Sequence, residues 1–226
     1  MLASYRGGDF GLTGRTNILA VPATFAVISD RQEFRLTVPY LSVTSEDPVM
    51  IVGDQVIELP GGPSGTESGP GDVVAEVEHY LLAGDGTRPW LSILLAVKLP
   101  TADEAKGLGT GRTDAGAGMG LIQPLGTRWH LLGGAQYFVM GNPRDVDLRN
   151  TLWLSLGLQR RVSGGASASL SFERRDSVLR DYPAIAKIDL LYDQGLARRV
   201  NLRAALFVGL SDSAEDYGLR VGFSVH

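Results

Sequence analysis

Cysteine is absent from the 226-residue chain, which removes disulfide frameworks, thiolate metal sites and cysteine nucleophiles while leaving oxidising compartments open. A basic excess is missing too. Lys and Arg number 21 against 25 Asp and Glu, and no basic run or stripe is there to neutralise phosphates, so no nucleic-acid partner is expected. Long apolar runs are also lacking. The best of them, Leu91 to Val97, contains Ser92 and falls well short of the roughly 18 residues that a membrane-crossing helix requires. The opening Met-Leu-Ala-Ser-Tyr-Arg-Gly-Gly has neither the charged start nor the apolar stretch of a secretory signal, so an exported protein is expected here in mature form. Helix-start signals followed by 3.6-residue apolar spacing are scarce, and 29 glycines are spread without a period. With three histidines at unsuitable spacing, no metal and no cofactor are expected.

What recurs instead is a segment of about ten residues that alternates apolar with small or polar side chains and ends in a turn rich in Gly, Asp, Asn, Pro or Ser. Leu152, Leu154, Leu156 and Leu158 form one face of the clearest case, against Thr151, Ser155, Gly157, Gln159 and Arg161, interrupted only by Trp153. Val200 to Leu210, Ala184 to Asp193 and Tyr217 to Val225 repeat the pattern. Strands are predicted over 2–10, 16–28, 32–44, 72–83, 89–99, 113–123, 128–140, 150–161, 165–174, 184–193, 199–210 and 215–226. Short turns near 30–31, 85–87, 125–127, 163–164 and 195–198 interleave with longer loops at 45–71, 100–112, 141–149 and 175–183.

Such alternation is the rule for outer-membrane barrels, which have an even strand number, short periplasmic turns and longer external loops. Closure matters because no unpaired sheet edge can face lipid. Aromatic parity agrees: Tyr40, Tyr137 and Tyr217 would face outward near one interface, and Phe34, Trp129, Tyr192 and Phe223 near the other. A soluble sandwich or lipocalin-like barrel shares the periodicity, but strands of ten to twelve residues and the two-sided loop rule favour the membrane. The expected fold is therefore all-β, a transmembrane antiparallel up-and-down barrel of about twelve strands, in one domain over 1–226, placed in the bacterial outer membrane.

Assigning the apolar parity to lipid leaves an inward set of Glu33, Arg35, Glu76, Glu78, Lys98, Arg161, Glu173, Lys187, Asp189, Arg203 and Arg220. These either line an aqueous lumen and set its selectivity or pair across strands and fill it. Lys187, Asp189, Arg203 and Arg220 are expected on three consecutive strands at similar depth, where pairing would lower the cost of shielding them. The long loop 45–71 carries an apolar segment, Pro48 to Ile57, which could form an external hairpin, fold inward as a constriction or contact a partner. Its glycine and proline density favours a flexible tip. No segment is left over for a separate plug domain. A Ser–His hydrolase is the weakest alternative, because His79 has lipid-facing parity, His130 lies at a turn and His226 ends the chain.

The stretch Gly71-Asp72-Val73-Val74-Ala75-Glu76-Val77-Glu78-His79-Tyr80-Leu81-Leu82, then Leu95-Ala96-Val97-Lys98-Leu99-Pro100-Thr101, then Gly109-Thr110-Gly111 with Asp114, resembles the outer-membrane family associated with the meta pathway of phenol degradation. Asp30-Arg31 followed by Leu36 and Val38-Pro39-Tyr40-Leu41 is similar to its early hairpin. The resemblance runs from about residue 16 onward and rests on short motifs that mark turns and strand ends. It implies an outer-membrane barrel that moves small apolar or aromatic compounds, and it brings no catalytic residues. The chain departs from the usual barrel ending, with His226 where an outward-facing aromatic is typical and Phe223 three positions earlier, which bears on whether the C-terminus is complete. The function expected is a channel or transporter for small solutes. A non-conducting anchor or scaffold, meeting protein partners through loops 45–71 and 100–112, is the alternative.

Overall fold

A computed structural model describes residues 2–143 and 146–225, so the expectation about His226 lies outside the described residues. Its strands are β1 (Ala3–Gly8), β2 (Thr16–Ile28), β3 (Gln32–Ser45), β4 (Val49–Val52), β5 (Gln55–Glu58), β6 (Gly65–Pro70), β7 (Val73–Leu82) and β8 (Trp90–Leu99). They continue as β9 (Asp114–Leu125), β10 (Trp129–Val139), β11 (Thr151–Arg161), β12 (Ala166–Arg175), β13 (Ile185–Ala197), β14 (Val200–Gly209) and β15 (Tyr217–Val225). No helix among the described residues is long and apolar enough to cross a membrane.

Outside the β4–β5 hairpin, which pairs only with itself, successive strands of the wall pair antiparallel, and β1 pairs with both β2 and β15, which closes the sheet into a barrel. The wall has twelve staves because β6 and β7 act as one broken strand: Tyr40–Ser45 of β3 pairs with β6 and Gln32–Thr37 with β7. The break falls where Pro39 has no N–H to give, while its carbonyl still accepts from Gly71 at 2.9 Å. The single strand expected over 72–83 is thus the lower half of a stave that starts at Gly65. Closure pairs the staves on both sides, the condition for crossing lipid with strands, except along the seam below the short β1, where Val21–Ile28 of β2 pairs only with β3 and Gly222–Val225 of β15 only with β14 among the described residues.

The strand faces follow the period-two pattern. Phe25, Val27, Leu95, Met119, Leu156, Leu170, Leu190, Leu206 and Phe223 stand exposed on the outside, although such residues would be buried in a soluble sandwich. Tyr40, Tyr137 and Tyr217 are exposed at the long-loop end, and Phe34, Trp129, Tyr192 and Phe223 at the short-turn end, so both aromatic girdles are present. Inside, large rings lie over glycines of the next strand. A Cβ on Gly218 would come within 2.0 Å of Phe207, and one on Gly116 within 2.5 Å of Phe138, so small inward residues make room for aromatic ones.

The 45–71 region departs most from expectation. β4 and β5 pair as a two-stranded hairpin whose residues Val49 to Val52 and Gln55 to Ile57 are buried, which replaces the expected flexible tip. Val49, Ile51 and Val56 pack with Phe10, Ile18, Val43 and Leu108, while Met50, Val52 and Ile57 pack with Leu148 and Val178. An apolar segment long enough to cover both faces of a hairpin loses its hydration cost only by leaving water, and the barrel mouth supplies apolar partners on either side. The hairpin therefore does the filling for which no separate plug domain was available.

Candidate functional site

The hairpin aims its turn at a ring of cations. Gly53 provides the positive φ, +60°, that a two-residue turn needs at its first central position, and Asp54 follows at the tip. Asp54 faces Arg6 of β1 at 3.5 Å and Arg175 of β12 at 3.7 Å, and its backbone carbonyl accepts from Arg6 Nη1 at 2.7 Å. The enclosing barrel disfavours the Asp54 charge, but Arg6, then Arg175, Lys187 and Arg220, outweigh that effect and hold its carboxyl well below the usual carboxylate range.

Three fixings hold the tip in place. Ile51 N–H donates to the Gly107 carbonyl at 2.8 Å, Gln55 Nε2 donates to Ser177 Oγ at 2.9 Å, and Val178 N–H donates to Gln55 Oε1 at 2.9 Å. Gly107 must be glycine, because its φ is +67° and a Cβ there would sit 2.3 Å from the Val49 carbonyl oxygen. The 100–112 loop thus closes over β4 from one side and the 175–183 loop from the other.

Two cavities, about 470 and 280 Å³, share Asp54, Gln136, Trp153, Arg175, Lys187 and Arg220 as wall, so the Asp54 tip stands at the neck between them. The apolar lining of the larger includes Ile18, Leu41, Phe138, Trp153 and Phe207, and that of the smaller Trp153, Leu154 and Ile185. Phe138 and Trp153 lie 4.7 Å apart, Arg175 stacks over Trp153 at 4.6 Å, and Arg220 over Phe207 at 4.7 Å. Guanidinium groups on aromatic faces are held flat and keep their N–H edges free to bind.

The inward set of eleven separates into groups. Arg35 pairs with Glu33 at 3.0 Å, Glu76 at 3.2 Å and Glu78 at 3.4 Å, with Tyr80 and Ser92 hydroxyls donating to Glu33 and Glu78, all toward the short-turn end. Lys98 lies near the long-loop end between Asp72 at 2.8 Å and Asp114 at 3.0 Å. Lys187 bridges Glu173 at 3.4 Å and Glu215 at 3.7 Å, and Arg220 pairs with Asp189 beside it. Arg203 is not at that depth: it pairs with Asp193 at 2.8 Å toward the short turns, because Asp193 opposes Arg203 whereas Lys187 opposes Gly209. That overturns the expected four-residue group on β13, β14 and β15. Arg161 is exposed at the short-turn end and forms no ion pair among the described residues.

Arg6, Asp54, Arg175 and Glu215 were not singled out by the sequence pattern. Arg6 sits on the short first strand, Arg175 follows another arginine at a strand end, and Glu215 lies at a strand entrance. Asp54 did carry a signal: Gly53-Asp54 between the apolar runs Val49–Val52 and Val56–Ile57 reads as a hairpin turn. Of the histidines, His79 pairs opposite Gln32 and His130 is buried opposite Pro124. No group of three or more acids or histidines among the described residues is placed to hold a metal ion.

No family model matches the chain, and no curated protein does either. Solved structures do match. An outer-membrane channel from Pseudomonas putida F1 superposes with a TM-score of 0.73 at 15% identity, covering 100% of this chain and 93% of that one. The NanC porin gives 0.59 at 9% identity, over 100% and 98% of the two chains. CymD, described as a monoaromatic hydrocarbon channel, gives 0.52 at 10% identity, over 99% and 77%. At these identities the likeness is one of fold. Together with the apolar exterior and its two girdles, it makes this chain a bacterial outer-membrane β-barrel.

Proposed function

We propose that the barrel is a passive outer-membrane channel or transporter for small apolar or aromatic compounds. The observation that carries this reading is the cavity walled by Phe138, Trp153 and Phe207, which meets a smaller, more polar one at Asp54 inside a closed twelve-stave barrel. Sites for small organic ligands are concave, mostly apolar and provided with a few convergent polar groups, and the larger cavity is of the usual size. The resemblance of the Gly71–Leu82 and Leu95–Thr101 segments to the outer-membrane family associated with the meta pathway of phenol degradation points the same way, as does the fold shared with CymD, a monoaromatic hydrocarbon channel. The eleven inward charges are proposed to set selectivity, those toward the short turns by an acid-rich group around Arg35 and those nearer the outside by the cations around Asp54.

Single-channel conductance of the purified protein in a planar bilayer, with phenol or toluene added on one side, tests the reading. Discrete steps that the aromatic solute blocks are expected. A stably inserted barrel that never conducts would overturn the aqueous pathway and favour lateral movement of apolar compounds through the wall, or a scaffold role.

A further inference from the structure

Resting on that reading, we propose that the cations beneath the hairpin form a binding site for a small amphipathic carboxylate, such as an aromatic acid, and that Asp54 is its internal occupant. Arg6 and Arg175 have no ion-pair partner other than Asp54 among the described residues. Their side chains are only 11% exposed, so these are two enclosed guanidiniums sharing one carboxylate. The fit is loose. Separations of 3.5 and 3.7 Å exceed those of a charge-assisted hydrogen bond, and the Nε of Arg175 and of Arg220 are buried without a hydrogen-bond partner. Half of the Asp54 side-chain surface stays open to the cavity, so a competitor can reach it.

The neighbouring acids are already engaged. Asp189 holds Arg220, and Glu173 and Glu215 face Lys187, with Asp189 Oδ2 and Glu215 Oε1 themselves buried without a hydrogen-bond partner, so a displaced Asp54 would leave Arg6 and Arg175 without an ion-pair partner within 4 Å among the described residues. An entering carboxylate can meet a guanidinium edge-on through two parallel N–H···O bonds, a geometry that a side chain tethered at a hairpin turn does not reach here. The rest of such a ligand would lie against Trp153, Phe138 and Phe207, which gives an organic acid an advantage over an inorganic anion. Only the Asp54 side chain need turn aside, because the hairpin is fixed through Ile51, Gln55 and both apolar clusters. The proposal therefore requires no opening of the loop.

The test is titration calorimetry of the full-length protein in detergent with benzoate, with benzamide as the uncharged isostere and inorganic phosphate as the apolar-free anion. Asp54→Asn and, as a second variant, Asp54→Ala are expected to bind benzoate about tenfold or more tightly than the native protein, since the internal competitor is gone. Adding Arg6→Gln or Arg175→Gln to either should abolish the gain. Benzamide binding as well as benzoate, phosphate binding as well as benzoate, or neither Asp54 variant gaining affinity while both keep the heat-modifiable mobility of a folded barrel, would each overturn the assignment. The conductance assay separates the two readings. A native protein that conducts while neither Asp54 variant gains benzoate affinity removes the carboxylate site and leaves the channel. Tightened benzoate binding by a barrel that never conducts keeps the site and removes the channel.

Discussion

With its side chain only 10% exposed, Lys98 donates to Asp72 at 2.8 Å and to Thr110 at 3.0 Å, and it faces Asp114 at 3.0 Å, so one ammonium neutralises two enclosed acids from different segments. Asp72 also accepts from the Ala102 N–H at 3.0 Å, Asp114 from the Gly141 N–H at 2.8 Å, and the Thr101 hydroxyl accepts from Val73 N–H. The short motifs around Gly71, Lys98 and Gly109 are far apart in sequence, and they meet in this one network. Lys98→Met should cost about 3–5 kcal/mol, because it leaves Asp72 and Asp114 enclosed without a counter-charge. Adding Asp72→Asn and Asp114→Asn should recover much of that loss, since removing a whole buried set costs less than removing one member. Urea unfolding from vesicles measures both, and equal stability of the single variant and the native protein would deny the network a structural role. Which inward charges meet was only partly legible from parity. Period two tells which side of the wall a side chain faces, but depth depends on register, and that is why Arg203 could be placed beside Lys187 in the pattern and yet pair with Asp193 in the fold.

Among the elements, the β4–β5 hairpin is the one that local sequence rules read least well. Its flanks, from Pro60 to Gly65, are dense in glycine and proline and read as a mobile loop, but the apolar runs Val49–Val52 and Val56–Ile57 decide its position by burial inside the mouth. Partners as distant as Phe10, Leu108, Leu148 and Val178 supply that burial, and no local window contains them. Replacing residues 49–58 with a short Gly-Ser linker should leave the stave-to-stave ladder intact, because none of those residues pairs with a wall strand. It should also raise single-channel conductance and remove the aromatic block, by joining the two cavities that meet at Asp54. Unchanged conductance in a correctly inserted variant would mean that the restriction lies elsewhere, with the Arg35 group at the other end as the next place to look.

At the scale of the whole molecule, strand number, order and sidedness were legible because a membrane barrel writes the same instruction many times. Each stave alternates faces, each short turn returns the chain, and the errors in any one segment are outvoted by the rest. The exceptions mark where the repetition stops: β1 is shorter than the predicted 2–10, and the β6–β7 stave is broken at Gly71–Asp72, where Pro39 interrupts the ladder. What the pattern could not choose on its own was the surrounding medium, since a soluble barrel with the faces reversed has the same period. The structure makes that choice testable at Leu156, which is exposed at mid-height of β11, while its chain neighbour Gly157 is buried on the inner face. If the exterior meets hydrocarbon, Leu156→Arg should cost about 2–4 kcal/mol on folding into phospholipid vesicles, the cost of an arginine near the bilayer midplane. Tyr40→Arg, at an interface girdle, should cost less, because depth-dependent penalties fall toward zero near the headgroups. Equal penalties at the two positions in a urea titration from vesicles would remove the bilayer from the account of this exterior, since water contacts a soluble barrel equally at every height.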